Sequence, residues 1–152
     1  MMLHPNKRPF IGVLAFLDRP SDKAPTGARG HRVILTESAA RFALPTLIGM
    51  GINVADRDSQ KHQPTSKVGV IETAEISGRE IVVSGYIFAR DFPAVIDQLA
   101  ASSEYGMSYE MADAHVEDMR ASDWKLTKVT FTGAAVILRA KAAYKFTDFI
   151  LL

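Results

Sequence analysis

The chain has 152 residues, 47% of them hydrophobic and 23% charged, and eighteen Lys and Arg stand against seventeen Asp and Glu for a net charge of +1. That length and composition fit a single globular domain, and a near-neutral chain with no basic stripe beyond Lys7-Arg8 argues against a nucleic-acid partner. The absence of cysteine excludes disulfides, thiolate metal sites and a thiol nucleophile.

Residues 1–9 carry two prolines and the Lys7-Arg8 pair and read as a flexible lead-in, leaving 10–152 as the domain. The apolar run Phe10 to Leu17 predicts a strand buried on both faces; it is far shorter than the ~20 residues of a membrane helix. Asp18 to Gly30, with Pro20, Pro25, Gly27 and Gly30, is loop chemistry. His31 to Leu35 predicts a short strand. Thr36 then caps a helix over Glu37 to Ala43, stopped at Leu44-Pro45 because a residue before proline leaves the α region.

Ile52 to Ala55 predicts an extended segment. The next eleven residues, Asp56 to Ser66, contain no aliphatic side chain, the mark of a functional or mobile loop. Lys67 to Ile76 and Glu80 to Phe88 predict a hairpin turning at Ser77-Gly78-Arg79. Asp91 and Pro93 open a helix in which Phe92, Val95, Ile96 and Leu99 share a face. In Tyr105 to Met111 alternation puts Tyr105, Met107, Tyr109 and Met111 on one side and Gly106, Ser108 and Glu110 on the other. Asp113 to Asp123 is polar and acidic. Trp124 to Leu138 predicts the last long strand, Lys141 to Tyr144 a helical turn, and Phe149 to Leu152 an apolar end that docks on its own core. Without regular βαβ alternation, the fold class is α+β: a small, mostly antiparallel β-barrel flanked by two or three helices.

Few residues can carry chemistry. The four histidines show no paired ligand spacing, and Asp56 and Asp58 lack the remaining ligands of a calcium loop, so neither metal nor cofactor is expected. Ser108 is the candidate nucleophile, with Gly106 leaving room beside it, although pattern alone favours a solvent-facing serine. His62, in the polar loop, is the candidate general base, and His115 the competing one; both also read as solvated residues.

Several segments in order change this balance. They are Ala43-Leu-Pro-Thr-Leu-Ile-Gly-Met-Gly51, Lys61-His-Gln-Pro-Thr-Ser-Lys-Val-Gly-Val-Ile71, Gly85-Tyr-Ile-Phe-Ala-Arg-Asp-Phe-Pro93, Tyr105-Gly-Met-Ser-Tyr-Glu110, Leu126 to Leu138 and Lys141-Ala-Ala-Tyr144. Together the chain resembles the prohead (capsid maturation) proteases of tailed phages, relatives of the herpesvirus assemblin fold. The resemblance implies a serine endopeptidase with Ser108 as nucleophile and His62 as base. It also implies the scaffold and major capsid protein as partners, action inside the assembling prohead in the host cytoplasm, and a possible homodimer. No membrane partner is expected.

Two positions depart from the family pattern: Gln63 stands where an Asp commonly follows the histidine, and Lys128 where an acidic third catalytic residue is expected. Three readings follow. In the first, Glu110 or His115 (or Asp113) replaces the missing acid behind His62. In the second, Lys128 is the base of a serine–lysine dyad. In the third, the chain is a catalytically silent scaffold-core or capsid-associated structural protein.

Overall fold

The computed structural model describes residues 4–56 and 61–152. In chain order they form β1 (Lys7–Phe16), β2 (Arg32–Leu35), α1 (Glu37–Ala43), β3 (Gly51–Val54), β4 (Gly69–Ser77), β5 (Glu80–Phe88), α2 (Pro93–Ala100), β6 (Tyr105–Val116), β7 (Asp123–Leu138) and β8 (Asp148–Leu151). Leu44–Leu47 and Arg139–Lys141 make 3₁₀ turns. Local chemistry accounts for the main boundaries. Thr36 accepts a hydrogen bond from the Ala39 N–H and caps α1; Gly78 turns the β4–β5 hairpin at a φ of +60°, where a side chain is strained. Asp91 does not cap α2: Phe92 holds that position, and the Asp91 carboxylate instead accepts from Asn6 Nδ2.

Three boundaries differ from the sequence reading. β1 begins at Lys7, inside the expected lead-in of residues 1–9, because Lys7 and Arg8 pair with Phe88 and Ile87 of β5. β6 runs on to Val116 through the acidic stretch, with positive φ at Asp113, because β7 offers a full-length partner. The C-terminal residues form β8 on the outer edge of β1.

The eight strands make one mixed sheet, β2-β7-β3-β4-β5-β1-β8, with β6 on β7. The barrel expected from sequence is not formed: no hydrogen-bonded ladder joins β6 to the β1–β8 end among the described residues, so the sheet is open. It is nevertheless curled. The Met107 N–H donates to Thr147 Oγ1, and Met107 Sδ would lie 2.5 Å from a Cβ on Gly12 of β1. Phe10, Leu14, Leu35, Leu47, Ile52, Ile71, Ile81, Ile87, Met107 and Phe131 fill the interior.

β7 organises the molecule. β6 lies antiparallel along one edge, while β2 and β3 run parallel along its start and end, and so share the other edge. The Thr46 hydroxyl of the intervening 3₁₀ turn accepts the Phe131 N–H, which would otherwise be left unpaired between β2 and β3. A bulge at Thr132 interrupts the β6–β7 ladder between Glu110 and Met111, the sort of irregularity that re-aims side chains.

The curl has a measurable requirement on the β4–β5 hairpin. A Cβ on Gly85 would stand 2.0 Å from the Val70 carbonyl oxygen, and one on Gly69 2.2 Å from that of Tyr86. Both obstacles are backbone, which cannot step aside. Gly85→Ala is expected to cost about 3 kcal/mol and to lower the melting temperature by roughly 10 °C. Gly78→Ala, at positive φ but with open space around it, is expected to cost only ~1–2 kcal/mol. Thermal unfolding followed by circular dichroism checks both.

Candidate functional site

Strand register brings the chemistry together. Ser108 of β6 and Asn53 of β3 both pair with Ala135 of β7, from opposite edges, so the three residues form one row. Two residues along β6, Glu110 returns to the same face as Ser108 and pairs with Gly133. The Glu110 carboxylate extends over that glycine, and a Cβ there would meet Oε1 at 2.6 Å. Gly51 on β3 is likewise covered, by the stem of Lys67, whose Cδ stands 2.2 Å from the point a Cβ would occupy. Two glycines thus clear a trough across β3 and β7, and a carboxylate and a lysine lie in it.

His62 and Gln63, in the segment leading to β4, reach this trough. His62 Nδ1 lies 2.9 Å from Glu110 Oε2, with the imidazole 26% exposed and the carboxylate 11%. Asn53, completely buried, donates from Nδ2 to the same Oε2 at 2.8 Å and to the Ala134 carbonyl at 3.2 Å. Its Oδ1 accepts the Gln63 N–H at 2.8 Å. Burial alone would raise the Glu110 pKa. The hydrogen bonds from His62 and Asn53, with the charges of His62 and Lys67, outweigh it and hold the carboxyl below its ordinary value. An ionised Glu110 accepting from Nδ1–H fixes the imidazole tautomer and leaves Nε2 as the available basic nitrogen.

Ser108 and His62 line one cavity of about 610 Å³, which continues beneath the Lys23–Arg29 loop to Met119 and Trp124. Residues from both faces of β6 border it, because among the described residues β6 has a strand partner on one edge only. Ser108 is half-buried, and among the described residues its Oγ makes no hydrogen bond.

The remaining candidates lie elsewhere. His115 and Lys128 pair with each other near the opposite end of the β6–β7 ladder and are exposed. Lys128 stands seven positions before Ala135, the partner of Ser108; at about 3.3 Å per residue that is roughly 23 Å. A Ser108–Lys128 dyad is therefore out of reach, and His115 cannot meet Ser108 for the same reason. Asp113 is exposed at the strand irregularity. Gln63, at the position where the resemblance expects Asp, enters the site through its backbone N–H. Asp56 is exposed and Asp58 lies outside the described residues; among the described residues no group of three His, Asp or Glu is placed to hold a metal ion. No described helix is long and apolar enough to cross a membrane.

Sequence reasoning missed Asn53 and Lys67. Asn53 did carry a signal: it is the one polar residue in the apolar stretch Ile52 to Ala55, and a buried amide demands partners. Lys67 carried none, since its neighbours across Gly51 and Gly133 come from distant strands.

No protein-family model matches the sequence, and no curated protein matches it. Among solved structures, the chain is similar to the KSHV protease in complex with a hexapeptide phosphonate inhibitor, with a TM-score of 0.61 and 14% identity over 95% of this chain and 65% of that one. It therefore spans just under two thirds of that herpesvirus chain. It is also similar to the bacteriophage T4 capsid assembly protease gp21, with a TM-score of 0.54 and 10% identity over 87% of this chain and 98% of that one. The Kaposi's sarcoma herpesvirus protease with an allosteric inhibitor aligns at a TM-score of 0.50 and 15% identity, over 86% and 70% of the two chains. The chain has the assemblin-like fold shared by herpesvirus and phage capsid-assembly proteases.

Proposed function

We propose that the chain is a serine endopeptidase that cuts scaffold and major capsid protein extensions inside an assembling phage prohead. The observation that carries this reading is the hydrogen bond between His62 Nδ1 and Glu110 Oε2 beside Ser108 in one cavity. Glu110 replaces the acid that Lys128 does not supply.

In this reaction Ser108 Oγ attacks the scissile carbonyl carbon while His62 Nε2 takes the hydroxyl proton. The C–N bond then breaks as His62 returns that proton to the leaving amine. Water, deprotonated by the same nitrogen, attacks the acyl carbon, and the bond to Oγ breaks as His62 returns that proton to Ser108. Glu110 stays ionised throughout, holding Nδ1–H and stabilising the imidazolium.

A fluorophosphonate probe reports on the nucleophile without knowledge of the substrate. Mass spectrometry is expected to find the adduct on Ser108, and Ser108→Ala is expected to abolish both the adduct and the processing of co-expressed scaffold and capsid protein. A folded wild-type chain that takes no probe and leaves its partners uncut would instead support the silent, structural reading.

A further inference from the structure

Resting on that reading, we infer that Asn53 is a positioning residue: from β3, on the far side of β7 from the nucleophile's strand, its amide sets the His62 loop and the Glu110 carboxylate against each other. A primary amide carries an acceptor at one end and two donors at the other, and here both ends are engaged. Oδ1 takes the Gln63 N–H, immediately after His62, and Nδ2 gives one proton to Glu110 Oε2 and the other to the Ala134 carbonyl.

The orientation of the amide is dictated by its partners. The reverse assignment would set Oδ1 against a carboxylate oxygen and the amino group against a backbone N–H, two repulsive contacts in a fully buried place. Asn53 thus reads an acceptor on β6 and a donor on the loop simultaneously, with β7 as its fixed support. It touches neither Ser108 nor the open side of the cavity, and it acts through the pair it holds. The bulge at Thr132 and the glycine trough bring the carboxylate to β3; the amide keeps it there.

Asn53→Asp separates this role from general stability, because the new carboxyl has the shape of the amide. It still accepts the Gln63 N–H, but when ionised it cannot donate to Glu110 and repels it. Among the described residues, the titratable and charged groups at this place are Glu110 from β6, which it touches, and His62 and Lys67 from the segment leading to β4, which act on Glu110; β7 presents Gly133, Ala134 and Ala135 there. Two adjoining carboxylates bind a proton more readily than one alone. Once protonated, the new carboxyl donates its single O–H to Glu110 and restores that bond, though not the one to the Ala134 carbonyl.

The test is the rate of fluorophosphonate modification at Ser108 across pH, for wild type and Asn53→Asp, under conditions where melting curves show both fully folded. The variant is expected to react about 100-fold more slowly at neutral pH, the scale of loss for a misplaced catalytic group, and the variant-to-wild-type ratio to rise as pH falls. Equal rates at every pH would overturn the positioning role and leave the protease reading standing. A wild type that does not react would remove the protease reading. The decision then falls to ¹⁵N resonances of the His62 ring. A Nδ1–H tautomer in the wild type that is lost in the variant upholds the positioning role, and identical rings overturn it. Should Asn53→Asp not fold, Asn53→Ala, which removes both ends of the amide and adds no charge, takes its place in the same measurements, without the acid recovery.

Discussion

Replacing His62 by Ala is expected to slow fluorophosphonate modification of Ser108 by about six orders of magnitude, the scale seen when the base of a serine protease triad is removed. The effect is large because in the proposed reaction one nitrogen serves every proton transfer, and among the described residues no second base lies beside Ser108. His115 and Lys128 are remote from Ser108 on the β6–β7 ladder, and Lys67 extends into the trough beside Glu110. Little stability should be lost with it. The imidazole sits on a loop and is partly exposed, and Glu110 retains its bond from Asn53. A slow rate in a protein that melts near the wild-type temperature is the expected pair of results; a near-normal rate would show that His62 is not the base.

The second large effect belongs to the carboxylate. Glu110→Gln keeps the volume but removes the charge, and is expected to reduce the modification rate by about 10⁴-fold, as when the orienting acid of a serine protease triad becomes an amide. The amide can present either its oxygen or its amino group to His62, so the tautomer is no longer enforced, and the imidazolium loses its counter-charge. Stability responds in a pH-dependent way. The folded-state pKa of Glu110 lies below the ordinary 4.5, so its ionised form is favoured by folding. That contribution is complete above about pH 4.5 and is lost as pH falls through the lowered folded value. The melting temperatures of wild type and Glu110→Gln should therefore differ most at neutral pH and converge in acid.

Much of the architecture was legible in the order of residue types. Thr36 followed by Glu37 marked the start of α1, Ser77-Gly78-Arg79 marked the hairpin, and alternation through Tyr105 to Met111 put Ser108 and Glu110 on one face. These are short-range consequences of capping, positive φ and the two-residue period of a strand, and they do not depend on what lies beyond. Closure of the sheet was not legible in this way. Whether β6 meets the β1–β8 end through a ladder or only through side chains is decided by curl and packing summed over eight strands, and here Met107 and Thr147 make that contact without a strand pair.

The same division runs through the candidate site. Sequence determined the chemical types available: a serine two residues past a glycine, a histidine in a polar loop, a carboxylate two residues past the serine, and no thiol. It left the partner of the histidine open among Glu110, Asp113 and His115, and Lys128 as an alternative base for the serine, because the distance between residues on different strands depends on register. Tertiary structure alone decided that matter. Pairing of β6 with β7 sent His115 and Lys128 to the far end, while Gly51 and Gly133 cleared the floor on which Glu110 and Lys67 lie. Asn53 was drawn in from β3 because a buried amide must find both a donor and an acceptor, and only the assembled strands could supply them.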